Sequence, residues 1–173
     1  MEPQPESEGF DVVIEIPRGS RNKYEYDHTQ HVIRLDRRLF SATVYPADYG
    51  FVPDTLAEDG DPLDVLVLLE DPTFPGCWVR VRAIGVFWMA DEKGRDAKIL
   101  CVPVHDPVYD DVDDLSGLRQ PLLDEIAHFF EVYKMLEPGK STTTVGFEGK
   151  DAALAEIAAA RTRATDEGYS TTE

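Results

Sequence analysis

The sequence is short of basic charge, of cysteine and of long apolar runs, and each shortage closes off a class of function. Lys and Arg number 17 against 34 Asp and Glu, a formal net charge of −17. A nucleic-acid binder needs a basic footprint to displace counterions from the phosphate backbone, so no nucleic-acid partner is expected. Only two cysteines occur, Cys77 and Cys101, each beside apolar strand-like sequence. Without CxxC spacing or neighbouring histidines they read as buried thiols, neither a disulfide framework nor a zinc site. The four histidines, His28, His31, His105 and His128, show no ligand spacing either. No apolar stretch approaches the roughly 20 residues a membrane helix needs, so no membrane partner is expected. The segment Met1 to Gly9 is polar and acidic and holds two prolines. It lacks the basic start and apolar middle of a secretory signal, and the expected location is the cytoplasm. No internal repeat, low-complexity region or linker divides the chain. The expected organisation is a tail over 1–9, one domain over 10–165 and a second tail over 166–173.

What is present fits a domain of 173 residues that buries its own core. Phe10–Ile16, Asn22–Asp27, Val32–Leu35, Val65–Leu69, Trp78–Met89 and Lys98–Val102 read as strands, by alternation or by short apolar runs between turn residues. Gly85 marks a bulge or bend within the long Trp78–Met89 strand. After Pro107 the pattern changes. Pro121–Leu136 carries Leu122, Ile126, Phe129, Phe130 and Tyr133 near helical spacing, with Pro121 in the first turn and Glu137-Pro138-Gly139 as the stop. A second helix is expected from about Gly149 to Ala164, with Leu154, Ile157 and Ala158 on one face. Strands first and helices last predict an α+β class, and several short antiparallel strands in one small domain predict a closed barrel.

The charges are unevenly distributed. Between Arg18 and Arg38 lie six basic residues opposed by Glu25, Asp27 and Asp36, whereas Asp54 to Asp71 holds seven acids and no Lys or Arg. Cations hold phosphate and clustered carboxylates hold hard metal ions, so the two segments together suit a metal–phosphate substrate. The densest cluster is Asp59-Gly60-Asp61-Pro62-Leu63-Asp64, three carboxylates in a turn that enters a buried strand. One such pair at 4 Å repels by on the order of 4 kcal/mol at an effective dielectric near 20, and a divalent cation is the natural compensation. An EF-hand is excluded: its sixth position, normally Gly, is Asp64, its fourth is Pro62, and a strand follows where a helix is required. A purely structural Asp-rich turn stays open on this segment alone. Asp91 and Asp96 flank a Gly-containing hairpin that leads to Lys98, although on this segment alone an ordinary solvated hairpin is the better explanation. Lys23, Arg37, Tyr49, Tyr133 and Lys134 are phosphate-binding candidates, although a lone Lys or Arg is usually a surface charge and Tyr133 falls on the apolar helix face.

The motifs in order are IEIP at Ile14–Pro17, NKYE at Asn22–Glu25, LDR at Leu35–Arg37, YPADYGF at Tyr45–Phe51 and Asp-x-Asp-Pro-x-Asp at Asp59–Asp64. FPG at Phe74–Gly76, DEKGRDAK at Asp91–Lys98 and HFFEVYK at His128–Lys134 follow. In this order, from about Phe10 to Ala164, the chain resembles the soluble family I inorganic pyrophosphatases, bacterial and in wording actinobacterial. The resemblance implies a five-stranded OB-like closed barrel with two main helices packed outside, several Mg²⁺ ions per site and a homohexamer. By position, Asp59, Asp64 and Asp96 match the main metal ligands, and Asp91 and Glu15 match positions holding further metals. Lys23, Arg37, Tyr49, Tyr133 and Lys134 match phosphate contacts, with Lys98 among them. Asp61 matches the carboxylate beside the attacking water, a base role also given to the position of Asp96. The chain departs from the pattern that the resemblance implies at Met135 and Arg95, where an acid is usual, at Phe147, near a usual tryptophan, and at Trp88, a place often held by Arg or Lys; none is a matched ligand.

The expected reaction is hydrolysis of diphosphate to two orthophosphates by a metal-activated water. A proton acceptor at Asp61 or Asp96 and a cationic surround for the phosphates complete the requirement. An OB-type oligonucleotide-binding module fits poorly with the acidic charge. An inactive homologue would be expected to lack a ligand or a phosphate contact, and every matched position is filled.

Overall fold

The computed structural model describes residues 8–171. Eight strands and two helices follow one another as β1 (Phe10–Ile16), β2 (Asn22–Asp27), β3 (Val32–Arg38), β4 (Asp48–Phe51), β5 (Asp64–Val67), β6 (Trp78–Asp91), β7 (Gly94–Pro103), α1 (Gln120–Val132), β8 (Thr142–Gly149) and α2 (Lys150–Glu167). The main sheet runs β1-β4-β5-β7-β6-β8, and β1 also pairs with β6. Pairing therefore passes from β1 through β4, β5, β7 and β6 back to β1, a ring of five strands with β8 added to β6. β2 and β3 form a separate antiparallel hairpin.

Side-chain alternation divides the core in two. Val65, Val67, Ile99 and Cys101 join a cluster with Ala153, Ile157 and Ala160 of α2. The intervening Leu66, Leu68, Leu100 and Val102 join another with Leu123, Ile126, Phe129 and Phe130 of α1. This is the period-two geometry of strands, here with both faces covered, and it explains why β5 reads as a continuous apolar run. Gly50 in β4 has a structural reason. A Cβ there would lie 1.9 Å from the Val13 carbonyl oxygen of β1, so only glycine lets the two strands pair.

Several expected elements shift. β4 and β8 were not expected as strands: β4 has only four residues, and β8 is mostly threonine and glycine, with little apolar patterning to mark it. β3 extends to Arg38 and β7 begins at Gly94, because hairpin pairing carries order past the apolar stretch. The bulge predicted at Gly85 appears as a register shift between Ala83 and Gly85. α1 ends at Val132, and Tyr133 caps it instead of continuing it. The buried face of α2 is Ala153, Ile157, Ala160 and Ala164, while Ala158 is exposed.

The expected C-terminal tail from 166 is also different. α2 runs to Glu167 and ends at Gly168 in the left-handed conformation, φ 64°. The chain then returns to the Asp54 turn, where the Asp54 carboxylate accepts from Thr171 N and Ser170 Oγ, and Thr171 is buried. At the other end, residues 1–7 of the expected N-terminal tail lie outside the described residues, and Gly9 is buried against Val104.

Candidate active site

The turn that carries the carboxylate cluster is closed by its own backbone. Val52 N donates to Leu63 O, and Ala57 N donates to Asp61 O. Buried Thr55 passes a hydroxyl bond to Val52 O and accepts one from Leu63 N. Gly60, at φ 88°, supplies the left-handed residue the turn requires, and Asp59 Oδ1 accepts from Asp61 N at 3.0 Å. The chain then enters β5 at Asp64, which pairs in parallel register with Lys98 of β7.

That register sets up the centre of the site. Lys98 is buried, and its Nζ donates to Asp64 Oδ2 and Asp96 Oδ2, both at 2.9 Å, and to Tyr49 Oη at 3.0 Å. Burial opposes the Lys98 charge, but Asp64 and the other anions around it prevail and hold its pKa well above the usual lysine range. Burial raises Asp96 to about 6, with the charge of Lys98 opposing the shift. Glu15, on β1, accepts from Tyr26 N at 2.8 Å. Burial raises Glu15 from 4.5 to about 8, against the lowering effect of that bond. Burial also raises Asp59, and it lifts the Tyr49 and Tyr133 hydroxyls above the ordinary tyrosine range. Burial therefore makes the ionised form of these carboxylates costly unless a further cation joins them.

The opposite wall is the β2–β3 hairpin, in which Lys23 and Arg37 sit directly across from each other. Both pair with Asp36, and Lys23 also pairs with Glu25. Lys134, just after α1, lies 3.5 Å from Asp91 at the end of β6. Asp61 projects from its turn with 66% of its side chain exposed, 3.6 Å from Lys93.

All twelve residues expected at a site, Glu15, Lys23, Arg37, Tyr49, Asp59, Asp61, Asp64, Asp91, Asp96, Lys98, Tyr133 and Lys134, line one cavity of about 570 Å³. The motif reading had not placed Glu25, His28, Asp36, Glu92, Lys93 and Lys140 there, although they line it too. Asp36 and Glu25 are legible in hindsight, as acids alternating with the basic residues of one hairpin. Two supporting residues carry no local signal. Asp48 is fully buried and accepts from Arg18 N, Thr73 N and Thr73 Oγ1, which fixes β4 beside Tyr49. Glu137 is buried against Arg37.

The donor set fits a hard divalent cation: oxygen ligands only, several of them carboxylates whose burial disfavours their charge and raises their pKa values. Among the described residues no three Asp, Glu, His or Cys side chains are gathered tightly enough to hold a metal as they stand. Lys98 bridges Asp64 and Asp96 in this state, so metal entry requires local rearrangement of these side chains.

A family model described as inorganic pyrophosphatase matches residues 12–165. An inorganic pyrophosphatase of Streptomyces coelicolor is 58% identical over 159 residues, covering 92% of this chain and 98% of that protein. The crystal structure of the inorganic pyrophosphatase from Thermus thermophilus superposes with a TM-score of 0.89 at 49% identity, covering 91% and 92% of the two chains. The solved structure of the inorganic pyrophosphatase from Helicobacter pylori gives 0.91 at 41% identity, covering 95% and 98% of the two chains.

Proposed function

Because this chain belongs to the inorganic pyrophosphatase family, metal-dependent hydrolases of diphosphate, we propose a residue-level account of how its cavity does that work. The observation that supports it is the meeting of a carboxylate wall and a cationic wall in one cavity. Glu15, Asp59, Asp64, Asp91 and Asp96 are assigned to several Mg²⁺ ions. When bound, Mg²⁺ supplies charge neutralisation for the phosphate oxygens and makes a water acidic enough to attack near neutral pH. Mg²⁺ is preferred to Zn²⁺ because every assigned ligand is oxygen.

The protein's own groups do the rest. Lys23, Arg37 and Lys134 now face Asp36, Glu25 and Asp91. Diphosphate exchanges with those carboxylates as the anionic partner, so the cations are already in position when substrate arrives. Tyr49, Tyr133 and Lys98 provide donors at the cavity floor, oriented by burial. Attack of water on one phosphorus forms a P–O bond and breaks the bridging P–O bond, with the electron pair leaving on the second phosphate. Asp61 takes the proton of the attacking water, and the departing phosphate is neutralised by the cationic wall. Asp61 suits that role better than Asp96, because Asp96 is fixed by Lys98 at 2.9 Å and Asp61 is exposed at the rim.

The ring of strand pairing supports reading the sheet as a five-stranded OB-like closed barrel with both helices outside it. The homohexamer implied by the family resemblance is kept as part of this reading, with exposed Leu35, Phe40, Phe74, Met135, Leu136 and Val145 as apolar side chains available to subunit contacts. No helix among the described residues is long and apolar enough to cross a membrane, which accords with a cytoplasmic location. Phosphate release from diphosphate is the direct test. It is expected to stop on chelation and resume with Mg²⁺, and undiminished release after exhaustive chelation would refute the metal assignment.

A further inference from the structure

Glu137 does not line the cavity, yet it is one of the few buried charged residues in the protein, 8% exposed. It lies in the turn after α1, which is held compact by Glu137 N donating to Lys134 O at 2.9 Å and Lys140 N donating to Glu137 O at 3.3 Å. Its Oε1 lies 2.8 Å from Arg37 Nη2 on the β2–β3 hairpin. The other terminal nitrogen of Arg37, Nη1, goes to Asp36, which is far more exposed than Glu137. Asp36 also reaches Lys23 Nζ at 3.4 Å, so one carboxylate bridges two cations that face the cavity. Arg37 thus has one buried partner and one solvent-facing partner.

Two atoms of this arrangement, Arg37 Nε and Glu137 Oε2, are buried without a hydrogen-bond partner. Each is the neighbour of an atom already in the Nη2–Oε1 contact. A small rotation turns that single contact into a side-on pair in which Nε and Nη2 both donate to the carboxylate, satisfying both orphans. Burial on its own would lower the Arg37 pKa, and the bond and charge of Glu137 reverse the shift. The buried edge is therefore the better-defended side of the guanidinium.

We propose that Glu137 is the positioning residue for Arg37: its buried carboxylate holds the Nε–Nη2 edge, so that the Nη1 edge meets a phosphoryl oxygen that takes the place of Asp36. This rests on the reading of Arg37 as a phosphate contact. Glu137 acts through Arg37 and touches no reacting atom. It also ties the turn bearing Tyr133, Lys134 and Lys140 to the hairpin bearing Lys23, so one ion pair sets the spacing of both cationic elements.

The test uses Glu137→Gln, Arg37→Met and the double variant, read by steady-state hydrolysis of diphosphate and by equilibrium binding of inorganic phosphate to the Mg²⁺-loaded protein. Glu137→Gln is expected to raise KM and weaken phosphate binding by on the order of 10-fold to 100-fold, the range for a misplaced contact group. The Mg²⁺ concentration for half activity should stay unchanged. In the Arg37→Met background, adding Glu137→Gln should weaken phosphate binding no further. Wild-type KM and phosphate affinity in Glu137→Gln would overturn the proposal, and so would an equal extra loss in the Arg37→Met background. If Glu137→Gln alone does not fold, the double variant removes both buried charges, and its comparison with Arg37→Met decides the question by the same criterion. Normal phosphate affinity in Arg37→Met would overturn the reading of Arg37 as well. A weak Arg37→Met beside a normal Glu137→Gln would overturn the positioning role alone.

Discussion

The two walls of the cavity are built on different foundations. The carboxylates Asp64 and Asp96 stand on β5 and β7, central strands covered on both faces, and the lysine between them is 2% exposed. Their separation is a matter of strand register, Asp64 opposite Lys98 and Asp96 two residues before it. The cations Lys23 and Arg37 stand on a two-stranded hairpin outside the main sheet, with side chains about one-fifth exposed, and their positions depend on ion pairs to Asp36, Glu25 and Glu137. Metal ligands need a fixed backbone frame, whereas phosphate contacts must exchange one anion for another. The rigid wall suits the first task and the peripheral wall the second.

Substitutions within the acidic wall should separate its two functions most sharply. Asp61→Asn keeps the size of the side chain and removes its basicity. We predict a loss of about 10²–10⁴-fold in turnover at saturating Mg²⁺, the usual contribution of a general base, with little recovery on adding more metal. Asp64→Asn should instead raise the Mg²⁺ concentration for half activity, with part of the rate returning at high Mg²⁺. Metal titrations of both variants distinguish the cases. Near-normal turnover in Asp61→Asn at saturating Mg²⁺ would transfer the base assignment to Asp96.

Burial of carboxylates in the same wall predicts an unusual pH dependence in metal-free protein. Glu15 is raised from 4.5 to about 8 by burial, so between these values the folded state holds a proton that the unfolded state has lost. Stability must then fall as pH rises through that window, by on the order of 3 kcal/mol from this group. Asp96, raised to about 6, adds to the fall in the lower part of the window. Denaturant unfolding of chelated protein at pH 5 and pH 8 measures it. Glu15→Gln should flatten the slope, and Mg²⁺ should do the same by pairing the ionised carboxylate. A chelated wild type that gains stability across the window would refute this picture of the site.

How much of this was legible in the sequence follows from the range of the interactions. The Asp59–Asp64 turn is a local object whose residue types report their own chemistry, and long strands such as β6 and β7 announce themselves by apolar patterning. β8 did not, because its inward residues are threonine, glycine and one phenylalanine, and its strand character comes from pairing with β6. Lys98 could be named by its motif, but its contact with both Asp64 and Asp96 exists only once β5 and β7 are aligned. Glu137 reads in sequence as part of a helix stop. Its burial against Arg37, a hundred positions earlier in the chain, is a tertiary fact with no local trace.

The smallest predicted effect lies outside both walls, at two of the positions where the chain departs from the family pattern. Arg95 Cζ lies 3.6 Å from the centre of the Trp88 ring, and the indole nitrogen donates to Glu148 Oε2 of β8. The departures are thus partners: a cation in place of the usual acid stacks on an aromatic in place of the usual base. Strand alternation puts Arg95 on the face away from Asp96, and Arg95 does not line the cavity. Arg95→Ala should therefore cost about 0.5–1 kcal/mol, the range for an exposed cation–π contact. In a domain of this size that lowers the melting temperature by roughly 1–4 °C. Turnover and KM should change by less than about twofold, in line with surface substitutions that leave a site untouched. Trp88→Arg alone should destabilise more, since it buries a second guanidinium beside Arg95, and adding Arg95→Asp should recover part of the loss by restoring an opposite-charge pair. Thermal unfolding of wild type, Trp88→Arg, Arg95→Asp and the double variant closes the cycle. Additive losses in the double variant would show that the two positions are not coupled, and a tenfold change in KM from Arg95→Ala would show that the hairpin's outer face helps to set the cavity's geometry.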